Sequence, residues 1–217
     1  LHIVERVKRS KKIDQIVVAT STSPDDDKIV EFCCNNNISF YRGSEEDVLN
    51  RLVMCHRFTR TDVVVEITGD SPFVDPDVID ETIELFMSTD ADYVSNTLTR
   101  SYPIGIRSQV FSLSLLEECE REAKNKKDRE HVTTFICRNK AGRYNLKNVL
   151  SKKKHTFPKL RLTLDYPEDL EVTRKIYENI YPEKNNFNLD DILGILSENP
   201  EIEKINENCK QIYKEGA

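Results

Sequence analysis

Four of the five residues in Val63-Val64-Val65-Glu66-Ile67 are β-branched, and the run gives way at once to Thr68-Gly69-Asp70-Ser71-Pro72. β-Branched side chains pack well on a pleated surface, and a short continuous apolar run suits a strand covered on both faces, as in a parallel sheet flanked by helices. Open sheets of that kind bind ligands beyond the carboxyl ends of their strands. Asp70 leaves the strand at that end, where a carboxylate can hold Mg²⁺ against a nucleotide phosphate; it serves equally well as a turn residue ahead of Pro72.

Strand and helix periodicities alternate through the first hundred residues, which predicts βαβ units around a mostly parallel sheet. Strands are expected at 15–20, 38–41, 63–67 and 92–96, with helices at 25–35, 45–58 and 77–87 between them. Beyond residue 100 the pattern changes. Short strands at 109–111, 144–149 and 160–164 accompany helices at 113–123 and 129–137, and the last third reads as helices at 168–180, 189–197 and 202–213. Residues 152–155 read as a solvated turn. The chain opens on Leu1-His2-Ile3-Val4-Glu5-Arg6-Val7, apolar at 1, 3, 4 and 7, which already reads as the middle of an amphipathic helix.

Composition narrows the function. The 217 residues are 38% hydrophobic and 32% charged, enough for one domain with a sizeable core, and no apolar run approaches the ~18 residues of a membrane span, so a cytoplasmic protein is expected. A net charge of -6, with dense basic runs only at 124–127 and 152–154, argues against a nucleic-acid backbone as partner. The six cysteines, Cys33, Cys34, Cys55, Cys119, Cys137 and Cys209, form no C-x-x-C pair and read as reduced, semi-buried side chains, which points to neither zinc nor a disulfide framework.

Four polar stretches at strand ends or helix starts are the site candidates. In Arg42-Gly43-Ser44-Glu45-Glu46-Asp47-Val48-Leu49-Asn50-Arg51, Ser44 and Asp47 have the spacing of a capping box, while Asp47 and Arg51 share a helix face and could pair or read a base or ribose. The second stretch is Thr68–Pro72. The third, Asp128-Arg129-Glu130-His131-Val132-Thr133, gathers charge and an imidazole at a helix start. In the fourth, Leu164-Asp165-Tyr166-Pro167-Glu168-Asp169-Leu170, Asp165 is either the cap of the following helix or a second carboxylate that joins Asp70 on one divalent ion.

In this order these stretches, with Val17-Val18-Ala19-Thr20-Ser21 and Tyr93-Val94-Ser95-Asn96-Thr97, resemble the cytidylyltransferases of the spore coat polysaccharide biosynthesis type, relatives of acylneuraminate and 3-deoxy-manno-octulosonate cytidylyltransferases. The resemblance implies a Rossmann-like nucleotidyltransferase fold and transfer of CMP from CTP to an acidic sugar with release of pyrophosphate. It implies Mg²⁺ on Asp70 and Asp165; nucleotide contacts from Ser44, Asp47, Arg51, Thr68, Gly69 and Ser71; and sugar contacts from Asn96, Arg107, Arg129 and His131. Relatives carry, ahead of the first helix, a strand and a triphosphate-wrapping loop. Roughly 20 to 35 further residues are therefore expected, and the chain without them is expected to be inactive.

Three positions depart from the family pattern. Arg107 and Gln109, in Tyr102-Pro103-Ile104-Gly105-Ile106-Arg107-Ser108-Gln109, stand where the family pattern places acidic residues, and Glu66 stands where relatives tend to have arginine. Arg107 can grip a sugar carboxylate. The segments 98–110 and 144–164 are expected to form a projecting β-arm that joins two copies as a homodimer. Two other readings compete: a nucleotide-sugar glycosyltransferase, whose D-x-D signature would have to be Asp75-Pro76-Asp77 or Asp90-Ala91-Asp92, and a non-catalytic nucleotidyltransferase-like subunit.

Overall fold

The alternation is realised in a computed structural model that describes residues 1–151 and 157–210. Helix α1 (His2–Val7) is followed by β1 (Val17–Ser21), α2 (Asp27–Asn35), β2 (Ser39–Gly43), α3 (Val48–Thr59), β3 (Val63–Glu66), α4 (Pro76–Met87) and β4 (Tyr93–Ser95). Next come β5 (Gln109–Ser112), α5 (Leu113–Glu122), α6 (Lys126–Glu130), α7 (Thr134–Arg138), β6 (Leu146–Asn148), α8 (Pro167–Ile180), α9 (Leu189–Glu198) and α10 (Pro200–Lys204). Capping explains several of these starts. Asp75 accepts the backbone N–H groups of Asp77 and Val78 while Pro76 opens α4, Ser112 accepts that of Leu115 at α5, and Asn188 accepts those of Asp190 and Asp191 at α9.

The strands form two hydrogen-bonded groups. β1 and β2 pair in parallel, and a four-stranded sheet runs β3-β5-β4-β6. Within the latter β5 is antiparallel to both β3 and β4, and β6 is parallel to β4, so β5 alone runs against its neighbours. Residues alternate across this sheet as strand geometry requires. Phe111 and Tyr93 enter a core with Leu49, Val53, Leu116 and Ile136 of the α3–α5 side, whereas Val110 packs with Val7, Ile79 and Ile83 of α1 and α4. A third core, with Phe73, Val94, Ile106, Leu162, Ile176, Phe187 and Leu196, seats α8 to α10.

Four expectations need correction. The 129–137 helix is broken, because α6 ends at Glu130 and α7 begins only at Thr134, across a stretch where β-branched Val132 and Thr133 disfavour continuation. The 160–164 strand reduces to an isolated bridge between Ile104 and Arg161. Gln109 and Val110, assigned to the end of the projecting arm, belong to an interior strand paired on both sides. The helix expected at 202–213 begins at Pro200 and ends at Lys204; residues 211–213, like the turn at 152–155, lie outside the described residues. Within the two segments assigned to the arm, Tyr102, Ile106 and Val149 are buried in the third core, while Ile104 and Phe157 are half-exposed.

Helix α1 is fastened by a charge. Arg6, 1% exposed, donates from Nε to the Val74 carbonyl at 2.7 Å and from Nη1 to the Phe187 carbonyl at 3.1 Å, and its guanidinium stands 4.5 Å from the Phe187 ring centroid. Among the described residues no helix is long and apolar enough to cross a membrane.

Candidate functional site

The carboxyl ends of β3 and β4 lie side by side across β5, since Glu66 and Ser95 both register with Gln109. Gln109 is fully buried, accepts the Tyr93 hydroxyl and donates to Glu66 Oε2 at 3.3 Å. Two of the departures from the family pattern thus meet as one cross-strand pair, and a neutral amide beside the Glu66 carboxylate avoids placing two like charges opposite each other.

Beyond this edge opens a shallow cleft, open to solvent and lined by Thr68, Asp70, Ser71, Asn96, Thr97, Arg100, the 102–107 loop and Thr163. Five of the sequence-predicted site residues, Thr68, Asp70, Ser71, Asn96 and Arg107, therefore share one concavity. Asp70 is half-buried; its carboxylate accepts the Thr68 hydroxyl and, at 3.3 Å, the Ser71 hydroxyl. Asn96 is committed to the wall, donating to the Ile106 carbonyl at 2.8 Å and accepting the Ser108 N–H at 3.0 Å. Its role is to hold the 106–108 loop.

The opposite wall is strapped by backbone. Ile104 donates to the Leu160 carbonyl at 2.8 Å, Leu162 donates to the Ile104 carbonyl at 2.7 Å, and Gly105 turns with φ of +95° directly against Leu162 and Thr163. A Cβ at Gly105 would lie 2.4 Å from the Leu162 oxygen, so only glycine fits this approach. The Leu164 N–H then donates to the Asp70 carbonyl at 2.9 Å, and the Thr163 hydroxyl to the same oxygen at 3.1 Å. This brings the Asp165 segment alongside Asp70. Asp165 is not the helix cap; Tyr166 holds that position, with its N–H on Asp169 Oδ2 at 3.0 Å. Burial would raise the Asp169 carboxyl, but hydrogen bonds from Arg161, the Asp165 backbone and Asn206 hold it below the usual carboxylate range.

The remaining candidates do not line this cleft. Asp47, not Ser44, caps α3 and accepts the Asn50 N–H at 3.0 Å, while the Ser44 hydroxyl takes the Asp47 N–H at 3.0 Å. Arg51 does not pair with Asp47. It lies over Gly43, with Nη1 on the Ser44 carbonyl at 2.6 Å. The partner of Asp47 is Arg129, which also donates to the Glu120 carbonyl at 2.6 Å; the Asp47 carboxylate raises the Arg129 pKa further. Arg129 is spent on joining α3, α5 and α6. His131 sits half-exposed at the end of α6, and Gly69 is exposed at the turn after β3.

One residue that the sequence did not single out lines the cleft. Arg100 lines the cleft half-exposed and makes no hydrogen bond or ion pair among the described residues. Away from the cleft, Asp26 stands at the N-cap of α2, where hydrogen bonds from Ser21 and Thr20 lower its carboxyl pKa to about 2 and tie the start of that helix to β1. Among the described residues no group of three or more His, Cys, Asp or Glu side chains is arranged to hold a metal. Any ion would rest on one or two carboxylates and on substrate oxygens, the arrangement typical of Mg²⁺ on a nucleotide.

The likeness to known proteins runs along nearly the whole chain. It is 37% identical over 214 residues to an uncharacterized protein of Methanocaldococcus jannaschii, covering 96% of this chain and 84% of that one. It is 32% identical over 204 residues to the spore coat polysaccharide biosynthesis protein SpsF of Bacillus subtilis, covering 92% and 83%. Among solved structures, a cytidylyltransferase from Leptospira borgpetersenii serovar Hardjo-bovis superposes with a TM-score of 0.86 at 26% identity, over 98% of this chain and 86% of that one, so the fold is the Rossmann-like nucleotidyltransferase fold. The model of the cytidylyltransferase family matches residues 1–193, which include the Asp70 cleft and the Asp165 segment, and the chain accordingly belongs to the cytidylyltransferase family.

Proposed function

We propose that this protein transfers the CMP moiety of CTP to a hydroxyl of an acidic sugar, releasing pyrophosphate, with Mg²⁺ held by Asp70 and Asp165. The observation that carries the proposal is the Leu164-to-Asp70 backbone bond of 2.9 Å, which brings two segments, each bearing a carboxylate, to one sheet edge beside an open cleft. The donor set suits a hard divalent cation: Asp70 lends a carboxylate already oriented by Thr68 and Ser71, and Asp165 a side chain that is 20% exposed. Bound there, the ion would offset the charge on the phosphate oxygens during in-line displacement at the α-phosphorus.

The protein's own groups supply position and charge. Thr68 and Ser71 orient Asp70, and Arg100, which makes no hydrogen bond or ion pair among the described residues, offers its guanidinium to an anionic acceptor. Arg129, bound by Asp47 and Glu120, is a poor choice for that task. The glycosyltransferase reading loses its signature. Asp75 is consumed in capping α4 and in accepting the Leu189 N–H at 2.8 Å, and Asp92 accepts the Asn145 N–H at 2.8 Å.

Pyrophosphate release by the full-length polypeptide from each of the four nucleoside triphosphates, with acidic and neutral sugars and with Mg²⁺ or EDTA, tests the proposal. The expected result is release from CTP alone, dependent on an acidic sugar, abolished by EDTA and absent in Asp70→Ala. Release that ignores the nucleotide or the metal, or wild-type protein that turns over a nucleotide sugar instead, refutes it.

A further inference from the structure

The inference concerns Arg161 and rests on the reading of Asp70 and Asp165 as the ligands of a divalent ion. A cation next to a metal ligand ought to weaken the site by repulsion. Yet Arg161 Nη2 donates to Asp165 Oδ2 at 2.7 Å, and Arg161 is 4% exposed. The same guanidinium forks Asp169, with Nε on Oδ1 at 2.9 Å and Nη2 on Oδ2 at 2.9 Å.

Asp169 is fully buried and its oxygens are saturated. Besides the fork they accept Asn206 Nδ2 at 2.8 Å and the backbone N–H groups of Asp165 and Tyr166 at 3.0 Å each. Asn206 also donates to the Arg161 carbonyl at 3.1 Å, so the chain beyond α10 closes over the pair. Asp165 accepts one hydrogen bond among the described residues, on Oδ2. Among the described residues two carboxylates surround this guanidinium, and Asp169, enclosed by donors, is the one placed to neutralise Arg161.

We propose that Arg161 and Asp169 are positioning residues for Asp165. Arg161 ties one oxygen of the Asp165 carboxylate and restricts its rotamer, the other oxygen is left for the ion, and Asp169 cancels the charge of Arg161 so that tethering does not weaken the site. Partners that orient a metal ligand from behind typically change metal affinity about 10- to 100-fold.

Charge and position can be separated by a double variant. Arg161→Met with Asp169→Asn removes one charge of each sign, leaving the local net charge as it was while abolishing the tether. Mn²⁺ is titrated into the protein in the presence of CTP, with bound ion read by electron paramagnetic resonance against a protein-free blank; circular dichroism reports the folded fraction, and Asp165→Asn serves as the site control. The double variant is expected to bind Mn²⁺ about 10-fold or more weakly than wild type per folded molecule. Arg161→Lys, which keeps the charge and loses the fork, should show a smaller loss in the same direction, and it carries the test if the double variant does not fold. Affinity unchanged in the folded variants overturns the positioning role and leaves the metal assignment standing. Wild-type binding that Asp165→Asn does not alter overturns the metal assignment itself, and the positioning role with it.

Discussion

Replacing Gly105 by alanine tests how the cleft is built. The residue has φ of +95°, and an added Cβ would stand 2.4 Å from the Leu162 oxygen, 2.5 Å from its carbonyl carbon and 2.6 Å from the Thr163 nitrogen. All three atoms are backbone, so no flexible side chain can give way. Forcing an L-residue into this region costs about 1–2 kcal/mol. The collision must also separate the two segments, which strains the Ile104-to-Leu160 and Leu162-to-Ile104 hydrogen bonds, each worth about 0.5–1.5 kcal/mol. The expected loss is about 3 kcal/mol, which in urea lowers the unfolding midpoint by about 1 M or more at an m-value of about 2–3 kcal/mol/M. Gly69→Ala is the control. That glycine is exposed, and a Cβ there meets nothing within 4 Å, so stability should move by less than about 0.5 kcal/mol. A Gly105→Ala midpoint within experimental error of Gly69→Ala would refute the close-approach argument and the strapped wall with it.

Three further outcomes are expected. Arg100→Ala should raise KM for an acidic sugar about 10-fold or more and leave KM for CTP unchanged, since a charged hydrogen bond is worth about 1.5–3 kcal/mol; a rise confined to CTP in steady-state pyrophosphate assays would reassign this arginine to the triphosphate. The Asp26 carboxyl is lowered from 3.8 to about 2, so its stabilisation is present above pH 3.8 and lost as pH falls toward 2. Discounted for partial solvation this is about 1 kcal/mol, and the stability of Asp26→Asn measured by urea unfolding should lack that slope. Asp47→Ala should destabilise the protein by about 1–2 kcal/mol, because it removes both the α3 cap and the partner of Arg129; no change in thermal midpoint would show the Arg129 network to be dispensable.

Much of the framework was legible from local chemistry. The β-branched run at 63–67 became β3, Pro76 and Pro167 each opened a helix where proline is tolerated, and Asp70 left its strand beside the cleft, because side-chain periodicity and capping act over a few residues. What the tertiary structure decided are the pairings between distant segments. The antiparallel insertion of β5 between β3 and β4, the reach of Arg129 across 82 positions to Asp47, and the anchoring of Arg6 to Val74 and Phe187 have no local signature, since any exposed helix could carry the same arginines. The same holds for the carboxylates near Arg161. Sequence places Asp165 and Asp169 four residues apart at a helix start, but only the fold buries Asp169 against Arg161 and Asn206 and leaves Asp165 at the rim, because burial and charge compensation are properties of the assembled packing.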